Sequence, residues 1–158
     1  LTGIKDKTKT GLTKVTKRFQ RELDYIKQGT DASNPIMVYD RHFFTDEVYA
    51  RLGYKEYSFE EQYQKFLKQL NEMELNIFLI ILYLKDESLY EERLASRSKF
   101  EYQKFDIQNS INQQREYLKL ADEIEKQSTN INVIRFANDN EEMFETQMKD
   151  FLEKIQKS

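Results

Sequence analysis

The chain has 158 residues, with 25 Lys or Arg, 28 Asp or Glu, one His and no Cys, for a net charge of −3. Without cysteine there is no disulfide, thiolate metal site or cysteine nucleophile, and a single His excludes a histidine-built metal cluster. Eleven Phe and ten Tyr supply enough large rings for a core although 34% of residues are charged, so one folded domain spanning 1–158 is expected. No run approaches the roughly 18 apolar residues of a membrane span and the first residues carry no secretory apolar run, so the reading is cytoplasmic, with no membrane partner.

Residues 1–28 hold eight Lys or Arg against three Asp or Glu, leaving 17 against 25 for the rest. Leu12, Val15, Phe19, Leu23 and Ile26 fall on one helical stripe that turns the basic residues to solvent and is expected to end at Gly29. That basic face lacks the aromatic or polar surface that usually accompanies phosphate binding, so nucleic acid is not an expected partner. Residues 29–35 read as a loop. Ile36-Met-Val-Tyr39 reads as a short buried strand stopping at Asp40. The run 77–84 is apolar without alternation, the pattern of a strand covered on both faces, and 131–136 is a weaker third strand. Helical patterns lie near 58–73, 87–97, 107–127 and 140–156, the last placing Phe144, Met148, Phe151, Leu152 and Ile155 on one face. The alternation predicts an open α/β fold, with parallel strands joined by helical crossovers.

In such sheets ligands bind at the carboxyl ends of strands. Asp40-Arg41-His42 directly follows the first expected strand and reads either as a structural ion pair or as a polar site. Arg93 and Arg97, four residues apart, share a helix face that Lys99 extends. They are either a solvated pair served by Glu91 and Glu92, or an arginine clamp for phosphoryl oxygens.

Three stretches, taken in order, resemble the thymidylate kinase and deoxynucleoside kinase group of phosphate-binding-loop kinases. They are Val38-Tyr-Asp-Arg-His-Phe-Phe-Thr-Asp-Glu-Val-Tyr49, Leu82-Tyr-Leu-Lys-Asp-Glu-Ser-Leu-Tyr-Glu-Glu-Arg-Leu-Ala-Ser-Arg97 and Arg115-Glu-Tyr-Leu-Lys-Leu-Ala121. The resemblance covers roughly 12–156. It implies a three-layer open parallel sheet flanked by helices, and an enzyme that moves the γ-phosphate of ATP, with Mg²⁺, to a (deoxy)nucleoside monophosphate.

By that resemblance Asp40 would orient the acceptor and face the Mg²⁺ indirectly, and Arg41 would hold the acceptor phosphate. His42, Phe44, Thr45 and Tyr49 would line the acceptor pocket, His42 by packing or base-edge contact more than by acid–base work. Arg93 and Arg97 would be catalytic, with Arg97 and Lys99 in a polar, loop-like lid at 96–106. A homodimer is implied, with the apolar faces of 12–26 and 46–52 as candidates. Ala50 stands where thymidylate kinases carry a base-reading Gln, so thymine specificity is not implied.

The loop Gly-x-x-x-x-Gly-Lys-Ser/Thr is absent from the sequence. In the family it follows a central strand lying between those at 36–39 and 77–84. With Leu1 rather than Met at the start, the resemblance therefore implies a parent with about 40–50 further N-terminal residues, and a sheet here lacking its central strand. Turnover is not expected of these 158 residues alone. The alternative is a catalytically degenerate member of the fold that binds a nucleotide or a protein. Lys-, Asn- and Ile-rich usage suits a bacterial or phage source.

Overall fold

A computed structural model describes residues 8–29, 36–96, 103–127 and 130–157. In chain order the elements are α1 (Lys9–Gly29), α2 (Phe43–Arg51), α3 (Glu60–Asn71), β1 (Ile77–Tyr83), α4 (Leu89–Ala95), α5 (Gln103–Gln127), β2 (Ile131–Ala137) and α6 (Glu141–Lys157). The chain divides into two compact units, one of Leu1–Ile77 with Gln127–Ile131 and one of Phe78–Lys126 with Asn132–Ser158.

The first unit is helical and its core is aromatic. Val15, Phe19, Leu23 and Ile26 of α1 are all buried, as their spacing predicts, and α1 packs on α3. Phe19 meets Phe59 at 6.3 Å and Phe66 at 6.2 Å, both edge-on, the arrangement favoured by the ring quadrupoles. A reciprocal amide pair between Gln20 and Gln69, at 2.8 and 3.0 Å, fixes the register of the two helices. Glu60 and Glu61 in the first turn of α3 and Lys68 in its last complement the helix dipole. This packing consumes the α1 face that the sequence offered as a dimer surface.

Helix α2 follows a different rule. Its residues from Phe43 to Val48 are buried without a break, so the helix shows almost no one-sided stripe. It ends at Gly53 (φ 76), where Gly53 N–H donates to Ala50 O at 3.0 Å and Tyr54 N–H to Tyr49 O at 2.9 Å. Those two bonds are the Schellman pattern, which needs a left-handed residue just past the helix, a position glycine fills without strain.

The second unit carries a two-stranded parallel sheet of β1 and β2, with α4 and α5 between them in sequence. Phe151 of α6 contacts Phe78 at 5.3 Å and Phe136 at 5.7 Å. On the helix α5, Asp122 and Glu125 hold Arg135 of β2 at 2.7 and 2.6 Å.

Four expectations are corrected here. Residues 36–39 form no strand: Ile36 is 86% and Val38 88% exposed, and neither lies in the sheet. A strand exists only by pairing, and among the described residues β1 pairs with β2 alone. Nor is β1 covered on both faces, because Ile80 and Leu82 are exposed on either side of buried Ile81. Leu152 of α6, expected on the buried face, is exposed as well. In the expected lid, residues 103–106 are the first turn of α5 rather than loop, while 97–102 lie outside the described residues. The described residues form an α/β arrangement, mostly helical, with a two-stranded parallel sheet.

Candidate functional site

The Asp40-Arg41 motif sits in a bend just ahead of α2, in the first unit. Both side chains are exposed, and among the described residues neither joins an ion pair. Arg41 has φ 63 and is the non-glycine residue with positive φ among those described. That conformation brings Cβ close to the following carbonyl and costs about 1–2 kcal/mol for an L-residue. His42 then serves as N-cap with extended backbone and no capping side-chain hydrogen bond. The first amides of α2 and an exposed guanidinium therefore lie next to each other in the sequence, the two kinds of donor that an anion takes up at a helix start.

The His42 ring lies among Phe19, Tyr39 and Phe43, with centroids 5.0 to 5.2 Å away. Its Nε2 is 2.9 Å from Oε2 of Glu22, whose Oε1 accepts from Arg18 Nε at 2.9 Å. Burial drives the His42 pKa down to about 4, against the opposing pull of Glu22 and with the help of Arg18. That shift keeps the ring neutral at pH 7, packed among the aromatic side chains.

Phe44 and Thr45 are 9% and 7% exposed, and Phe44 stacks on Phe43 at 4.2 Å. Both side chains are buried in the first unit. Tyr49 is half-buried beside Tyr54, with centroids 5.6 Å apart. Beneath them lie charges that sequence reasoning missed. Asp46 and Lys55, each side chain 2% exposed, are 3.5 Å apart. Burial pushes the Asp46 carboxyl up, outweighing Lys55. Sequence spacing alone could have flagged Arg18 and Glu22, one helical turn apart, or Glu47 and Arg51, but nothing in the sequence points from Asp46 to Lys55.

In the second unit, a cleft of about 290 Å³ opens at the carboxyl ends of β1 and β2, lined by Tyr83, Leu84, Tyr90, Arg93, Ser110 and Asn138 among others. Side chains stitch its rim to the backbone. Gln114 of α5, itself buried, accepts from Leu84 N–H at 2.7 Å and Tyr90 OH at 2.8 Å and donates to Leu84 O at 3.0 Å. Gln147 of α6 treats Ala137 the same way, accepting at 3.0 Å and donating at 2.9 Å. Asp139 accepts from the amides of Lys85 and Asp86 at 2.8 and 2.7 Å. Arg93 donates to the carbonyls of Asn138 and Asp139, the latter at 3.0 Å, so its guanidinium holds the turn after β2. Arg97 and Lys99 lie outside the described residues. A shallow hollow lined by Lys9, Thr10, Thr13, Lys14 and Lys17 runs along the solvent side of α1, as expected of a solvated basic face.

Among the described residues no group of three or more His, Asp or Glu is placed to hold a metal ion, and no helix is long and apolar enough to cross a membrane. Comparison with family models, with curated proteins and with solved structures gives no match to this chain.

Proposed function

We propose that this chain carries the acceptor-binding part of a nucleotide kinase of the thymidylate kinase kind, which takes up a (deoxy)nucleoside monophosphate and receives the γ-phosphate of ATP. The observation that carries this reading is the Asp40-Arg41 bend: an exposed arginine kept in a left-handed backbone conformation at the start of an uncapped helix. Backbone strain of that kind concentrates where a side chain has to be presented to a ligand. Arg41 would grip the acceptor phosphate through its planar fork, helped by the first amides of α2. Asp40, exposed beside it, would orient the acceptor oxygen. It is also the carboxylate that would face Mg²⁺, an ion commonly bound through one or two carboxylates together with the substrate's phosphates. When bound, the ion neutralises charge on the phosphoryl oxygens. Arg93 is a positioning residue in this scheme, because its guanidinium is spent on the turn after β2.

A second reading is a nucleotide-binding module without transfer, which the Asp40-Arg41 bend would serve equally well. Calorimetric titration of the 158-residue chain with nucleoside monophosphates and the parent nucleosides tests the shared premise. The monophosphate should bind about 30-fold or more tighter than its nucleoside, and Arg41→Ala should remove the difference. Equal affinities would overturn both readings. Phosphoryl transfer from ATP, assayed on the intact parent protein, would then separate the kinase from the module.

A further inference from the structure

The two strands of the second unit have unlike outer edges. Asn138 N–H donates to Tyr83 O at 2.8 Å, so Tyr83 and the residues alternating with it turn their peptide groups toward β2. Phe78, Ile80 and Leu82 turn theirs the other way, where the sheet has no further strand among the described residues. The alternation carries on to Leu84, whose outward N–H and C=O are both taken by the Gln114 side chain. Among the described residues no side chain does the same for Phe78, Ile80 or Leu82, and Ile80 is 41% and Leu82 55% exposed. Ile77–Tyr83 also holds no charge and no proline, the usual guards of an open edge. The outer edge of β2 is guarded: Arg135 stands in it, held by Asp122 and Glu125, and Gln147 caps Ala137 at its end.

We propose that β1 is the contact through which two copies of this chain associate, the two β1 edges pairing antiparallel about a two-fold axis at Ile80. The edge is complementary to itself. With Ile80 opposite its own copy, Phe78 of each chain lies opposite Leu82 of the other, and each opposing pair exchanges two N–H···O bonds, so all the outward groups are satisfied. An uncharged segment meets an identical one, so no charge leaves water, and the exposed Ile80 and Leu82 side chains gain cross-strand neighbours. The first charges beyond the two ends of the strand, Glu74 and Lys85, are exposed and opposite in sign, and the antiparallel copy brings one end to the other. Asp86, next to Lys85, is already bonded by the amide and hydroxyl of Ser88. Association closes at two copies, because each spends its open edge and β2 presents a guarded one. So short an edge buries less than a standard interface, which places the dimer in the micromolar range. The pairing does not depend on nucleotide binding.

Sedimentation equilibrium of the 158-residue chain from about 1 to 500 μM should show a monomer passing to a dimer. Leu82→Lys puts a charge at an already exposed position and should raise the dissociation constant about 10-fold or more, whereas Val38→Lys, in the other exposed apolar segment, should leave it unchanged. Hydrogen exchange reads the edge itself: the Ile80 and Leu82 amides should exchange freely in dilute chain and become protected as the dimer forms. Because the chain has no cysteine, Ile80→Cys is a single reporter at the axis, and a short bismaleimide should join two copies through it. A monomer throughout, or a dimer that responds to Val38→Lys and not to Leu82→Lys, overturns the proposal. So does equal protection of the two amides at every concentration, which would mean that another part of the chain covers β1.

Discussion

Arg41→Gly separates presentation from stability. At φ 63 the arginine backbone bears about 1–2 kcal/mol of strain from its Cβ, which glycine lacks. Glycine gives back about 0.5–1 kcal/mol through the greater freedom of its unfolded chain. The difference leaves Arg41→Gly more stable than the unaltered chain by about 0.5–1 kcal/mol. Arg41→Ala keeps the Cβ and should be close to neutral, and Arg41→Val, β-branched in a left-handed bend, should lose about 1 kcal/mol more. The side chain is exposed and joins no ion pair among the described residues, so its removal takes away no compensating contact. For acceptor binding the direction reverses. Losing a guanidinium held against phosphoryl oxygens costs about 2–4 kcal/mol, or about 30- to 1,000-fold in affinity.

Urea unfolding followed by tyrosine fluorescence, with ten Tyr and no Trp as reporters, measures the first quantity, and calorimetric titration with a nucleoside monophosphate the second. A chain that becomes more stable while losing its ligand is the signature of strain retained for binding. If glycine instead destabilises by about 1 kcal/mol, the side chain holds the bend and Arg41 is structural. If stability rises and affinity is unchanged, the strain serves something other than phosphate.

Gln114→Leu should lower stability by about 3–5 kcal/mol in urea unfolding, since it strands the Leu84 N–H and C=O and the Tyr90 hydroxyl at once, whereas Gln108→Leu on the exposed side of α5 should change it by less than about 0.5 kcal/mol. His42, with a folded pKa near 4 against about 6.5 unfolded, contributes stability that is present above 6.5 and lost as pH falls through 4; His42→Phe should flatten that acid limb by about 2 kcal/mol in melts from pH 4 to 8. Lys55→Met should cost about 3–5 kcal/mol by leaving Asp46 buried without its cation, yet the double variant Asp46→Leu/Lys55→Met should recover most of the loss; a double variant as unstable as the single one would mean the pair is held by more than its two charges.

The helices that the sequence made legible are those with one wet side and one dry side. The stripes of α1, α3 and α6 place Phe19, Phe66 and Phe151 in cores because a 3.6-residue period is itself a record of one-sided burial. Strands were legible as segments but not as partners. The run at 77–83 is a strand, yet its apolar residues at 80 and 82 are exposed, and the equally apolar 36–39 forms none. Pairing and cover are properties of neighbours, which a single segment does not encode. The Asp-Arg pair was visible as a motif, while the left-handed backbone of Arg41 was not, since nothing local in Tyr-Asp-Arg-His requires it.

Helix α2 is where local rules fail together, and the failures fall on adjacent residues. It buries Asp46 and Glu47, begins without a side-chain cap and is preceded by a strained arginine, although each defect has a cheaper remedy. Leucines could replace the buried acids, a serine or aspartate could cap the helix, and glycine could take the bend. A helix selected for stability alone would hold some of these, and α2 holds none. Buried ion pairs contribute little net stability but resist displacement, because any motion that parts them leaves a charge in a dry place. Asp46 with Lys55 therefore acts as a pin rather than as a source of stability, and what it pins is the helix that begins two residues after Arg41. Rigidity behind the bend is what a strained, exposed guanidinium needs if it is to keep its geometry while a ligand is absent.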